Sequence, residues 1–462
     1  MQELNLGYHY PIIYWNTACL IINAGANEEL DDNKSTQYGK IAKAIANFKQ
    51  RSIIVDRPLI NEAKFSFVPD EKNNRIIFSF KGLCGIGDDI ARAIVEHQPY
   101  SSFEDFCKRM VDTKIIGTAK TIILIKAGCF NELDSPDRME TMKKFLSRNV
   151  FTPIDKLTMQ QFNSALEYDI FPKEMETMIR IKNFKAYALH ENFFLKNIID
   201  EGKKVPKKGY HDRYFALDER GTEFLMEHFN TCIVGTKEDG VIISEKLFNK
   251  EWDALIQPLK DYMALPETLQ LYNQKKLDST MESYASGSLE QWDMESLSYY
   301  PDRHELWNLN EPKYGVVDYN SLPEIPEVYD YTTRRVRGEI KHFPKYKIFR
   351  LAGTVLDSDN NKHLVTLLTN HSVVTCKYNK GQYSYYNKRI SEQTPAGKKK
   401  VLEESWFKRG SKIIVCGYRR EDQFVVTKYA DTVYTHTTNR IEEIYNDGTI
   451  LAQTDRKKVG EE

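Results

Sequence analysis

The order of apolar and polar positions divides the chain into a mainly helical first two-thirds and a strand-rich last third. Ile12, Ile13, Trp15, Leu20 and Ile21 fill most faces of one segment, so a buried helix is expected over 10–24, with Pro11 in its first turn and Gly25 as its stop. Ser35 stands where it can cap a second helix running to 51. Between 65 and 80 the apolar residues alternate around a polar turn at 69–74, the period of a β-hairpin. Helical spacing returns at 102–111, 118–126 and 138–148, punctuated by Gly117, Gly128 and Pro136, and again over 158–199 with a break at Pro172. A basic turn at 203–208, two short strands around Glu238-Asp239-Gly240, and helices over 245–263 and 267–284 complete this part.

The last third has a different rhythm. Five short apolar runs, at 349–356, 364–369, 372–378, 412–418 and 424–428, alternate as strands do, and Asp357-Ser358-Asp359-Asn360-Asn361 separates the first two as a turn. With Gly353 where the first strand must bend, they suit a small closed β-barrel of the OB type. The expected fold is therefore multidomain α+β, with a helical N-terminal two-thirds and a C-terminal OB-type barrel. We divide it into 1–70, 71–150, a helical middle region 151–310 with a small β-hairpin, a proline-stiffened linker 311–336, the barrel 337–430 and a tail 431–462.

One turn bears directly on chemistry. In Gly85-Ile86-Gly87 two glycines flank one apolar residue, and Asp88 behind them can cap a helix that carries Ile90, Ala91, Ile94 and Val95 on one face. This is a helix-hairpin-helix pattern, whose turn aims backbone N–H groups at a phosphate without reading bases. Lys81, Gly85, Ile86 and Gly87 are the candidate duplex-phosphate residues, and a Cβ at Gly87 is expected to find no room. An ordinary capping turn explains the same residues without a ligand.

Composition narrows the field further. A hydrophobic fraction of 41% and a mean hydropathy of -0.55 describe a soluble chain, no apolar run approaches the ~18 residues of a membrane span, and no signal core follows the N-terminus, so a cytoplasmic location is expected. Seven scattered cysteines without a Cys-x-x-Cys pair argue against a zinc site or a disulfide framework. The net charge of -1 hides an asymmetry: residues 331–430 hold 21 Lys and Arg against 8 Asp and Glu, a local +13, which leaves -14 elsewhere. Within this basic part, Lys377, Tyr378, Lys380, Tyr383, Tyr385, Tyr386, Lys388 and Arg389 interleave cations with rings, and Trp406, Lys408 and Arg409 repeat the mixture. Rings stack on bases while cations follow phosphates, so these are the candidate single-strand-binding residues. Closure of the barrel by Trp406 and some of the tyrosines is the competing explanation.

The order of motifs resembles the C family of replicative polymerases, typified by the alpha subunit of bacterial DNA polymerase III. His9-Tyr10-Pro11, Arg57-Pro58-Leu59-Ile60-Asn61, Lys81 through Gly87, Phe103-Glu104-Asp105-Phe106, Ala127-Gly128-Cys129-Phe130 and the connector from Met294 to Leu306 stand in the family's order, with the barrel after them. Cys84 departs from it where a lysine is usual, and Glu96-His97 where an arginine often closes the helix. The resemblance implies late fingers, a DNA-clasping region and an OB domain, acting in DNA-templated synthesis on duplex and single-stranded template. It places the Mg²⁺-binding carboxylates in a palm, so no catalytic, metal or cofactor residue is assigned here. A separate N-terminal half with PHP and palm domains is the expected partner. A sliding clamp is a further partner in this family; Gln257 to Tyr262 and Gln291 to Met294 fit its peptide in part, although both lie in helical pattern. His304 is read as structural. A stand-alone nucleic-acid-binding accessory protein of replication or repair is the alternative.

Overall fold

The computed structural model describes residues 10–26, 35–49, 52–195, 213–237, 240–393, 399–428 and 437–457. The expected basic turn at 203–208 and the tip residues Glu238 and Asp239 lie outside these. The chain forms two compact units, one of residues 1–144 with 285–462 and one of residues 145–284.

The first unit begins with helix α1 (Ile12–Ala24), which follows Pro11 and stops at Gly25 in a left-handed conformation. Helix α2 (Tyr38–Lys49) buries Ile41, Ala42, Ile45 and Phe48, spaced to share one face. Strands β2 (Val68–Asp70) and β3 (Arg75–Ile77) form the expected hairpin, and β1 (Ile54–Asp56) adds to β3 in parallel. Arg75 holds the three strands together through Asp56, Asp70 and Glu62 at 2.8, 2.8 and 2.6 Å. Helix α3 (Asp88–Glu96) follows the glycine turn; a Ser102-capped turn then leads to helix α4 (Thr118–Ala127), which ends at left-handed Gly128. Rings of Phe103, Phe106 and Phe130 pack edge to face beneath them.

Helix α5 (Leu289–Leu297), capped by Ser288, turns Trp292, Asp293, Met294 and Leu297 inward. A carboxylate in such a place is costly unless paired. Asp293, 2% exposed, accepts from Arg57 Nη1 and Nη2 at 2.6 and 2.9 Å and from Arg138 Nη1 at 2.6 Å. Arg57 also donates to the Ala127 carbonyl at 3.2 Å and pairs with Asp302 at 2.8 Å. Burial works against the Arg57 charge, but the Asp293 hydrogen bonds and charge outweigh it and hold the guanidinium protonated.

Five strands close a barrel: β4 (Phe349–Asp359), β5 (Leu364–Leu368), β6 (Val373–Lys377), β7 (Lys412–Arg420) and β8 (Gln423–Val426). Strand β4 pairs antiparallel with β5 and β7, β5 with β6, and β7 with β8; β6 and β8 close the ring in parallel. The inward residues alternate as the sequence does, among them Leu351, Val355, Val365, Leu367, Val374, Cys376, Ile413, Val415 and Phe424. At Gly417 a Cβ would stand 2.2 Å from the Val425 carbonyl oxygen, so only glycine permits that approach. Helix α6 (Lys380–Asn387) fills one end between β6 and β7, and β9 (Thr438–Ile444) and β10 (Ile450–Gln453) extend the sheet beyond β7. Near the C-terminal end Arg456 enters this domain: its Nε lies 2.6 Å from Glu403 Oε2, both side chains being 2% exposed, and its Nη1 reaches the Tyr385 and Tyr386 carbonyls at 3.0 and 2.6 Å.

The stretch 311–336, expected as a linker, is structured. Pro312 lies in the first turn of a short helix, Glu311–Tyr314, and Tyr319 and Leu322 join the barrel core. Val328–Val336 then pairs antiparallel with Glu339–Tyr346 as a two-stranded ribbon. Asp359, expected in a turn, caps it by accepting from Asn361 and Lys362 N–H at 2.9 Å each.

In the second unit, helices Glu176–Ala188, Glu219–His228 and Glu245–Leu255 lie with an antiparallel sheet of Tyr214–Ala216, Gly240–Ser244 and Ile233–Lys237. Phe184, Phe215, Phe229 and Phe248 form its centre. No helix among the described residues is long and apolar enough to cross a membrane.

Replacing Asp293 with Ala leaves the buried Arg138 guanidinium without its carboxylate and Arg57 with the exposed Asp302 alone, and the loss of stability should be roughly 3–5 kcal/mol. Urea unfolding of the purified chain measures it. An unchanged midpoint would remove Asp293 from its structural role.

Candidate nucleic-acid interface

Two turns in the first unit are built alike. At the first, Ile86 is buried at 4% exposure while Gly87, extended at φ -85° and ψ 168°, precedes α3 with no side-chain cap. At the second, Ile116 is buried at 0% and Gly117, at φ -84° and ψ 162°, precedes α4, also uncapped. In each, the isoleucine anchors the turn and the glycine leaves the helix N-terminus open: a Cβ at Gly87 or Gly117 would meet nothing within 4 Å. The first N–H groups of a helix have no intrahelical acceptor, so each turn offers donors to an anion. The two lie close together, because Lys120 of α4 donates to the Gly85 carbonyl and the Ile123 Cδ1 is 3.1 Å from where a Gly85 Cβ would be. Gly117 and Lys120 were missed in the sequence, although Ile-Gly ahead of a helix occurs at both sites.

Details of the first turn differ from expectation. The strained glycine is Gly85, at φ +85°, rather than Gly87, which lies in ordinary extended conformation. The Ile86 N–H is taken by the Leu83 carbonyl at 3.3 Å and Gly85 N–H reaches Tyr38 Oη at 3.5 Å, which leaves Gly87 and the first residues of α3 as the open donors. Lys81, expected on a phosphate, pairs with Asp88 instead, whose carboxylate stands at the positive end of α3. Cys84 is buried; its N–H donates to the Ser296 carbonyl at 2.8 Å and its Sγ lies 2.9 Å from Ser298 Oγ. Burial pushes its thiol pKa up, against the pull of Arg409.

The ring-and-cation stretch separates into two sides. Tyr378, Tyr383, Tyr386 and Trp406 are 2, 3, 6 and 0% exposed and pack with Phe407 inside the barrel, Trp406 stacked on Tyr386 at 5.1 Å. None of the four can stack on a base. The helical spacing of Tyr383 and Tyr386 puts both on the inner face of α6, which explains the correction. Tyr385, 51% exposed, Lys380 and Lys388 lie on the outer side, while Arg389 pairs with Glu404 at 2.7 Å and Lys377 donates to the Lys362 carbonyl. Lys408 is exposed. Arg409 is placed elsewhere than expected, with its guanidinium 4.7 Å from the Tyr38 ring whose hydroxyl meets the first glycine turn. A groove of about 610 Å³ runs beside it, lined by Lys408, Arg409, Lys412 and Arg440 together with Glu295 and Glu305.

Both stretches that fit a clamp peptide are occupied in packing. Leu259 is fully buried and Tyr262 half-buried in the first, and Trp292, Asp293 and Met294 of the second are at most 2% exposed. His304 is half-buried at the turn between connector and barrel, its Nδ1 3.0 Å from Asn370 Oδ1.

Two adjacent uncapped helix starts behind Ile-Gly turns, and a five-stranded barrel with exposed lysines on one side, are the features with open donors and cations that a phosphate backbone could meet. A family model described as a helix-hairpin-helix motif matches residues 52–140, which contain both turns. Over 470 aligned residues the chain is 40% identical to a protein named "Probable DNA polymerase YorL" of Bacillus subtilis strain 168, covering 99% of this chain and 34% of that protein. It is similar to the same extent to a "DNA-directed DNA polymerase" of Bacillus phage SPbeta. The chain thus spans about a third of the length of these curated relatives.

Gly87→Val provides a clean test, since the added side chain finds open space within the protein but stands where a phosphate would approach. Its melting temperature should match wild type while duplex affinity falls about tenfold, the scale of one charge-assisted hydrogen bond. Equal affinity in the folded variant would make the turn a capping device only. Gly85→Ala should instead lose about 1–2 kcal/mol of stability, because its φ is positive.

A pH effect follows from His304. Burial holds its imidazole at about 4, below the usual 6.5, the Asn370 hydrogen bond opposing and the Lys49 charge assisting. The unfolded chain takes up a proton near pH 6.5 that the folded chain refuses until about 4, so this contribution is whole above pH 6.5 and is lost as pH falls towards 4. The loss amounts to roughly 3 kcal/mol. Unfolding curves of His304→Gln should be flatter than wild type between pH 7 and 4.5; parallel curves would refute the assignment.

Proposed function

We propose that this chain is the DNA-binding portion of a C-family replicative polymerase, acting in DNA-templated DNA synthesis with a palm-bearing half. The observation that carries the reading is the 40% identity, along 99% of the chain, to proteins named DNA polymerases of which it spans about a third. The paired Ile-Gly turns would hold duplex phosphates through Gly87 and Gly117 and the helix starts behind them, a grip indifferent to base sequence. The barrel is read as an OB fold. Its support is the ring order β4-β5-β6-β8-β7, the parallel closure of β6 on β8, and a helix between the third and fourth strands. Single-stranded template would follow the outer side of α6, where Lys380, Tyr385 and Lys388 are exposed.

Phosphoryl transfer requires carboxylates holding Mg²⁺ against the primer terminus and the incoming nucleotide. Those belong to the palm, which with a PHP domain forms the partner half in this reading. The pure chain should therefore bind template-primer but extend no primer with Mg²⁺ and four deoxynucleoside triphosphates, and adding the palm-bearing half should produce extension. Binding without extension in the reconstituted pair would favour an accessory protein. Extension by the chain alone would overturn the division of labour.

A further inference from the structure

The ribbon of Val328–Val336 and Glu339–Tyr346 has no counterpart in the reading above. Its nine-residue first strand reaches roughly 30 Å. Arg337 and Gly338 form the tip at φ 51° and 86°, the two positive values of a tight type I′ turn. Almost every residue along it is exposed, on both faces. Among the described residues its fastenings lie at its base: the Tyr346 ring is 4.6 Å from that of Tyr418 on β7, and Arg420 Nη2 donates to Tyr346 Oη at 3.1 Å.

A two-stranded ribbon alone is marginally stable in water, and this one leaves Tyr329, Tyr331 and Ile340 at 64, 59 and 67% exposure. Something of matching shape and charge would complete it. Residues 328–347 carry six lysines and arginines against two carboxylates. Lys345 pairs with Asp330 at 2.6 Å and Lys341 approaches Glu339 at 3.8 Å, so the carboxylates of the ribbon are already engaged. Arg334, Arg335 and Arg337 cluster at the tip, and among the described residues no ion pair involves them. The register sets Arg334 beside Lys341 on one face and Arg335 beside Ile340 on the other. Cations on both faces and at the tip match a groove with phosphates along each wall better than they match a flat protein surface. The B-DNA major groove, about 12 Å wide, admits a two-stranded ribbon.

We propose that this ribbon inserts into the major groove of duplex DNA, with Arg334, Arg335 and Arg337 on its phosphates. The proposal rests on the chain's being a DNA-binding protein but names a contact independent of the glycine turns. The test uses the whole chain, a fluorescent 30-base-pair duplex and anisotropy titrations at several salt concentrations. Wild type is compared with Arg334→Ser/Arg335→Ser/Arg337→Asn, asparagine being chosen to tolerate the left-handed tip, and with Gly87→Val. The triple variant should keep the wild-type melting temperature, bind at least tenfold more weakly, and show a slope of log affinity against log salt flatter by about 0.9 for each lost phosphate contact. If Gly87→Val weakens binding while the triple variant matches wild type, the ribbon proposal fails and the general reading stands. If wild type binds no duplex, both fail. If the triple variant changes only the sedimentation of the chain, the ribbon joins two copies and the proposal is wrong.

Discussion

The first unit is joined from two distant parts of the chain by one buried carboxylate. Asp293 sits between Arg57 and Arg138, 236 and 155 residues away in sequence. An isolated acid in this position would lose more by desolvation than a single partner returns. With two guanidinium groups around it and the Ala127 carbonyl shared by Arg57, the site is satisfied on every side. The glycine turns therefore stand on a helix pair fixed to the connector that leads into the barrel. The neighbouring Asn61 serves the same end locally, since its amide both donates to and accepts from the backbone of Tyr100 at 2.8 Å. Residues that carry the family resemblance in this stretch are thus occupied with holding the turns rather than with touching a ligand.

Much of this was legible in the sequence because the signals were local. Pro11, Gly25, Gly128 and Ser102 mark helix ends by backbone geometry, and the structure has them at those ends. The barrel strands were legible because each has one face in the core, which imposes alternation. The Gly85-Ile86-Gly87 turn was visible for the same reason, although its strained member was assigned to the wrong glycine.

What was hidden has physical causes. The ribbon has no buried face, so its strands carry no alternation, and the prolines around it suggested a linker. Its charge was seen but was credited to the barrel. The tyrosines misled because cation and ring neighbours in sequence part company once a helix forms: Tyr383 and Tyr386 turn inward while Tyr385 and Lys388 stay outside. Arg409 could not have been placed at all, because its ring partner Tyr38 lies far upstream and only the fold brings them together.

The Glu403–Arg456 pair sets a clock on the making of this protein. The two residues are 53 apart, so at translation rates of about 5–20 residues per second the glutamate waits on the order of 3–10 s for its arginine. During that interval the carboxylate lacks the cation that balances its charge in the folded domain, where the Trp406 indole also donates to it at 2.8 Å. A core carboxylate whose counter-charge lies 53 residues further along thus ties the packing around Trp406 to residues beyond the barrel strands.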